Sequence, residues 1–252
     1  MHLVVIHHWK QDDLEAAQTV AAALGKQVFD VRQRMTGGGP AVIASFAEAQ
    51  RATIVAERLQ QGNVPVLVID TDKPNSKAAP LQIRQFRLTE TALQIEDVNG
   101  RSEQLPYGEI SLMLPAITLV GQSVKKTATT ERKFSLGKTL MAGGIPMTKK
   151  VKQEVSIQSE ERDELLWLQA SGRLPLLFFR GTLDYTGLGA AMQMSRTLNF
   201  AHLKTELARR APQALVDDRL LMRAGQAKLL GPSFDPDRNL HLACTILSRT
   251  LP

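Results

Sequence analysis

Residues 86–110 read FRLTETALQIEDVNGRSEQLPYGEI. Apolar and polar residues alternate from Gln82 to Leu88 and again from Ala92 to Asp97, where Leu93 and Ile95 share one face. Alternation with period two is the mark of a half-buried strand. Asn99-Gly100 sits between the second run and its return over Ser102–Leu105, and a type I′ turn favours that pair because it needs positive φ at both positions. The stretch therefore predicts an antiparallel hairpin. Pro106-Tyr107-Gly108-Glu109 then turns a corner, and Ile110–Val120 (ISLMLPAITLV) reads as a long strand with Pro115 as a kink or edge mark.

Further along, 153–158, 163–169 and 174–180 are strand-like, with Gly172-Arg173 as a turn. Residues 184–189 form a loop. Residues 195–211 (SRTLNFAHLKTELARRA) make an amphipathic helix with Leu198, His202, Leu203 and Leu207 near one face. Two more helical runs follow, near 217–229 and 237–247. Six or seven strands followed by one amphipathic helix is the order of a pleckstrin-homology-like barrel, in which the helix plugs an open end of the sheet.

The segments F-x-L-T, L-x-I and LPY-x-x-I of 86–110, with LWLQASG and DYTGLG…NFAHLKTELARRAP later, carry a resemblance over about residues 81–230. On them the chain resembles an uncharacterised bacterial family with such a barrel preceded by a ferredoxin-like domain. The resemblance implies a protein that binds rather than catalyses, and a phosphate-rich head group as the charged ligand where such barrels meet lipid. The long insertion in the middle departs from a compact barrel.

The first 70 residues alternate in their own way. Leu3–His8 is strand-like. Asp12–Leu24 has acids at its start and Gly25 after its end, both helix signals. Gln27–Arg34 (QVFDVRQR) reads as a strand, Pro40–Ser45 as another, Phe46–Gln60 as a helix and Val64–Ile69 as a buried strand. That order, βαββαβ, is ferredoxin-like. The expected class is α+β: a ferredoxin-like domain at 1–72, a polar linker at 73–80, and a pleckstrin-like barrel with C-terminal helices at 81–252. Ferredoxin-like domains pair through sheet faces or edges, so a homodimer is one expectation.

Charge is unevenly spread. Residues 124–152 carry eight Lys/Arg against one acid, Glu131, a net of +7, so the other 223 residues net −1 against the chain's +6. A localised basic surface implies an anionic partner. The basic residues are Lys125, Lys126, Arg132, Lys133, Lys138, Lys149, Lys150 and Lys152. Phe134, Leu136, Met141, Ile145 and Met147 lie among them as candidate apolar contacts. Three readings stay open. The stretch docks on an anionic membrane or an acidic protein partner, it is a solvated hairpin on an interaction scaffold, or it binds nucleic acid. Seven lysines to one arginine speak against bidentate phosphate recognition. Aromatic content of 5% speaks against base stacking.

No catalytic, metal or cofactor motif emerges. Gly37-Gly38-Gly39 lacks the GK[ST] of a phosphate loop and reads as a hairpin loop. His7-His8, as adjacent strand residues, should point to opposite faces. Cys244, the single cysteine, sits in LACTIL as a core thiol. Asp184, Tyr185 and Asn199 are candidates for an internal hydrogen-bond network. MHLVVIHHWKQDD has neither a basic start nor a long apolar run, and no stretch of 18 apolar residues occurs. A cytoplasmic protein, peripheral to the inner membrane face where it docks, is expected. The sequence points away from an enzyme, although an activity of unrecognised type stays open.

Overall fold

The computed structural model describes residues 1–10, 12–71, 79–134 and 148–251; of these, side chains from 122 to 160 are left aside. The expected linker 73–80 falls outside them except at 79 and 80. The chain forms two compact units, Met1–Thr118 with Asp163–Pro252, and Leu119–Arg162. The class is α+β, with two sheets and several helices.

In the first unit, β1 (His2–Ile6) is flanked on both sides by antiparallel neighbours, β2 (Ala41–Phe46) and β3 (Val66–Asp70), in the order β2-β1-β3. Leu3, Val4, Val5 and Ile6 are all fully buried. An unbroken apolar run in a strand means that both faces are covered. Val4 and Ile6 meet α1 (Leu14–Leu24), α2 (Val28–Met35) and α3 (Ala49–Gln61) through Ala17, Val20, Val31, Met35, Ala52 and Leu59. Leu3 and Val5 face the opposite way, into a core shared with the second sheet.

The α2 segment corrects the sequence reading, which made QVFDVRQR a strand. The strand pattern put Val28 and Asp30 on one face, with Phe29 and Val31 on the other. The helix instead brings Val31 and Met35, four apart, onto the core and leaves Phe29 67% exposed. Asp30 in its first turn and Arg32 and Arg34 in its last suit the helix dipole. Arg34 also donates from Nη2 to the Val42 carbonyl on β2, 2.8 Å. The order is thus βααβαβ with a three-stranded sheet, and the expected fourth strand is absent from the described residues.

The second sheet has seven strands in the order β10-β7-β8-β9-β4-β5-β6. They are β4 (Leu81–Leu88), β5 (Ala92–Asp97), β6 (Ser102–Pro106), β7 (Ile110–Phe134), β8 (Thr148–Ala170), β9 (Leu176–Phe179) and β10 (Leu215–Val216). The sheet is open: β6 and β10 lie at its two ends and do not pair. Met113, Leu166, Leu168 and Phe178 face α4 (Arg196–Arg210), which contributes Phe200, Leu203 and Leu207. Leu112, Leu114, Ala116, Leu165 and Trp167 face the other way. There they meet Leu3 and Val5 with α5 (Arg223–Leu230) and α6 (Leu240–Thr250). Pro115 is tolerated within β7 because β10 pairs with it only at Leu112 and Met113, leaving no ladder bond for residue 115 on that side.

The β5–β6 hairpin forms where the sequence put it, with a different turn. Only Gly100 has positive φ, at +80°, so both-positive type I′ geometry is not adopted. Asp97 N–H bonds to the Arg101 carbonyl and its Oδ1 accepts from the N–H groups of Asn99 and Arg101, at 2.8 and 2.9 Å. These bonds close a three-residue loop over Val98–Gly100. The hydrogen bond from Arg101 first, with those from Asn99, holds the Asp97 carboxyl below its ordinary value.

After β9 the chain crosses back over β4 as a short 3-10 helix, Thr186–Ala191. Gly187 lies so close that a Cβ there would be 1.6 Å from the Phe86 carbonyl oxygen. The obstacle is backbone, which cannot swing aside. Gly187→Ala is therefore expected to lower stability by about 1–3 kcal/mol. Gly108→Ala, where a Cβ meets nothing within 4 Å, should stay within about 0.5 kcal/mol of the parent. Urea unfolding of both variants checks the pair.

Candidate functional site

The charged stretch falls on the long strands. Lys125, Lys126, Arg132, Lys133 and Phe134 belong to β7, and Lys149, Lys150 and Lys152 to β8, hydrogen-bonded neighbours in the sheet. Leu136, Lys138, Met141, Ile145 and Met147 lie outside the described residues. β9 pairs with β8 only over Leu165–Leu168, as β10 pairs with β7 only at Leu112 and Met113. The Leu119–Arg162 unit is therefore two-stranded among its described residues, a ribbon whose sequence holds the protein's surplus charge.

In the first unit, the groups that sequence reading singled out are engaged in structure. Asn199 is buried, and both ends of its amide hold Gln193: Oδ1 accepts from the Gln193 N–H at 2.7 Å and Nδ2 donates to its carbonyl at 2.9 Å. The Tyr185 hydroxyl donates to the Arg180 carbonyl, and burial pushes its pKa up. Asp184 Oδ1 accepts from the Thr186 N–H two residues on. Cys244 is buried, which pushes its thiol pKa up and leaves it unreactive.

His7 and His8 depart from the expectation of opposite faces. They lie past the end of β1, and His8 has φ +55°, which brings the rings edge to face with Nδ1 atoms 2.5 Å apart. One ring must donate and the other accept. Burial first, then His8, lowers the His7 pKa. Gly37-Gly38-Gly39 joins α2 to β2 rather than two strands. Arg219 donates from Nη1 to the Gly39 carbonyl at 2.8 Å while paired with Asp217. Trp9 fills the space beside Gly39, where a Cβ would lie 2.0 Å from its ring. Gly39 is thus packed, while Gly37 and Gly38 line a cavity with Arg219 and Lys228.

No family model, curated protein or solved structure matches this chain. The chemistry must be judged from the side chains alone. Among the described residues no group of three His, Cys, Asp or Glu is placed to hold a metal ion. A groove of about 480 Å³ runs along β4–β6, lined among others by Gln85, Gln94, Gln104, Ser102 and Thr186. Its carboxylates are engaged: Glu96 takes Arg84 at 2.7 Å and Glu103 takes Arg173 at 3.2 Å. The Ser102 and Thr186 hydroxyls line it as well, without histidine or cysteine. No described helix is long and apolar enough to cross a membrane.

Sequence reading missed one surface. Met192 and Met194 flank Gln193 and are 51% and 107% exposed, with Leu198 at 53%.

An ionic cluster anchors the end of α4. Glu206 accepts from Arg209 Nη2 at 2.7 Å and Arg210 Nε at 3.1 Å. Arg210 also donates to the Thr89 carbonyl and sits over the Tyr107 ring. The Arg209 hydrogen bond first, with that from Arg210, holds the Glu206 carboxyl at about 2. A depressed carboxyl contributes stability above its ordinary value of 4.5 and loses it as pH falls towards 2. Chemical denaturation across pH 5 to 2 should show this loss, and Glu206→Gln should remove that part of the slope.

Proposed function

We propose that this protein is a non-enzymatic binding module that docks on an anionic membrane surface through its lysine-rich β7–β8 ribbon. The observation that carries the reading is the concentration of +7 in residues 124–152 of a chain whose remainder nets −1. Part of that charge belongs to residues of two neighbouring extended strands. Lysines near an anionic bilayer contribute about 1 kcal/mol each, without the bidentate geometry that selects arginine. Phe134, Leu136, Met141, Ile145 and Met147 supply the apolar component of such a contact. Sheet followed by covering helix over residues 81–211 keeps the pleckstrin-like plan as a fold analogy, with the sheet left open. Bacterial proteins of that plan preceded by a ferredoxin-like domain remain the family we propose by resemblance.

A basic two-stranded ribbon is also a shape that enters a nucleic-acid groove. Lysine over arginine, with Phe134 as the stretch's one aromatic, favours lipid. Cosedimentation with vesicles of phosphatidylglycerol and phosphatidylcholine at low salt decides between them. The parent protein should bind, and binding should weaken as salt shortens the screening length. Reversing four lysines to glutamate (Lys125, Lys126, Lys149 and Lys150) should weaken binding by about a thousandfold. No binding by the parent at low salt, or equal binding by the charge-reversed variant, overturns the proposal. Retention of duplex DNA without vesicle binding would replace it with the nucleic-acid reading, and recovery of a protein partner indifferent to the reversal would replace it with a scaffold.

A further inference from the structure

In the first unit a cavity of about 360 Å³ lies between β2 and the end of α5. Two cations, Lys26 and Arg34, line it, and no carboxylate does. Arg34 comes from the last turn of α2. Its Nη2 donates to the Val42 carbonyl at 2.8 Å and lies against Gly231, where a Cβ would be 2.6 Å away. Val42 and Gly231 both line the cavity, so the guanidinium is fixed at its wall.

An arginine drawn out of water is ordinarily matched with an acid. Arg34 is half-buried, and burial pushes its pKa down. Among the described residues it has no carboxylate partner, and the neutral Val42 carbonyl is its one acceptor. The guanidinium has five N–H donors in a planar fork, so most of its donors are left without a protein acceptor. Lys26, exposed just past α1, likewise has no ion-pair partner among the described residues. Asp30, one turn before Arg34, lines an adjoining cavity that shares both cations, but pairs with neither. The Ser45 and Ser233 hydroxyls add two further polar groups to the acid-free wall.

Much of the remaining wall is apolar, with Ile43, Phe46, Leu230 and Phe234. Pockets of this kind combine apolar lining with a few polar groups that fix the ligand's orientation. Two cations beside such a wall suit an anionic head on an apolar body. A guanidinium fork matches the two oxygens of a carboxylate. A bare inorganic anion would leave the apolar wall in contact with water.

We infer that this cavity binds a small organic carboxylate, its head on Arg34 and Lys26 and its apolar body against Phe46 and Phe234. The site uses residues of the first unit alone, and it does not depend on the membrane-docking reading.

Calorimetric titration of the full chain with octanoate, without vesicles, tests it. Octanoate carries a carboxylate on an apolar body. Octanol has the body without the charge, and inorganic phosphate the charge without the body. Octanoate should bind with a Kd of about 1 mM or tighter, and should shift the amide resonances of Ser45 and Gly231. Octanol and phosphate should each bind about tenfold more weakly. Arg34→Gln should weaken octanoate binding by about tenfold or more. Because that change also removes the bond to Val42, Lys26→Gln serves as the second variant. It should keep the parent's unfolding midpoint and bind about threefold more weakly. No octanoate binding by the parent, equal binding of octanol or phosphate, resonance shifts confined to other residues, or full affinity in either variant overturns the site. Each of those results leaves the ribbon reading standing, and failure of the parent to bind vesicles leaves this site standing.

Discussion

Leu3, Val4, Val5 and Ile6 have no exposed surface, and the first unit is arranged around that constraint. A strand buried on both faces needs a cover for each. The three helices of residues 14–61 cover one. The other can be covered only by something apolar from elsewhere in the chain. β7, β8 and α6 supply it, with Leu112, Leu114, Trp167, Ala243, Ile246 and Leu247. The seven-stranded sheet is consequently buried on both faces where it matters, with α4 on its far side. Burial of a leucine or isoleucine contributes about 1.5–3 kcal/mol, so a core of this extent binds residues 3–69 firmly to residues 112–247.

The parts legible in the sequence were those with a strong local signal. The alternation of residues 82–105 gave β4, β5 and β6, and residues 195–211 gave α4 with almost the observed bounds. QVFDVRQR was illegible for a physical reason. Eight residues with three apolar positions fit either period, and only tertiary packing of Val31 and Met35 selects the helix. The turn at Asn99-Gly100 was legible as a turn but not in type. Asp97, two residues before Asn99, supplies the carboxylate that favours the longer loop. The sharing of one core by residues 3–69 and 112–247 could not be read locally, because burial on a second face does not name the partner.

For the candidate surfaces the balance reverses. The basic ribbon is visible as a count of lysines, needing no fold. The apolar loop at 189–194 is invisible without one, because AAMQM reads equally well as the start of a buried helix. What distinguishes it is the position of Asn199, a polar residue placed inside so that its neighbours can be placed outside. Asn199 was recognisable as part of an internal network, but its partner, a backbone six residues earlier, was not.

The core that joins β1 to α6 also sets an order of events during synthesis. Residues 2–6 are translated well before the helix that completes the cover over Leu3 and Val5, residues 240–250. Throughout elongation one side of the N-terminal sheet has no permanent cover, however early its own three helices dock. Contacts so distant along the chain also slow folding after release. Between the synthesis of β1 and that of α6, one apolar face of the N-terminal sheet therefore lacks its final cover. That face closes only when α6 arrives.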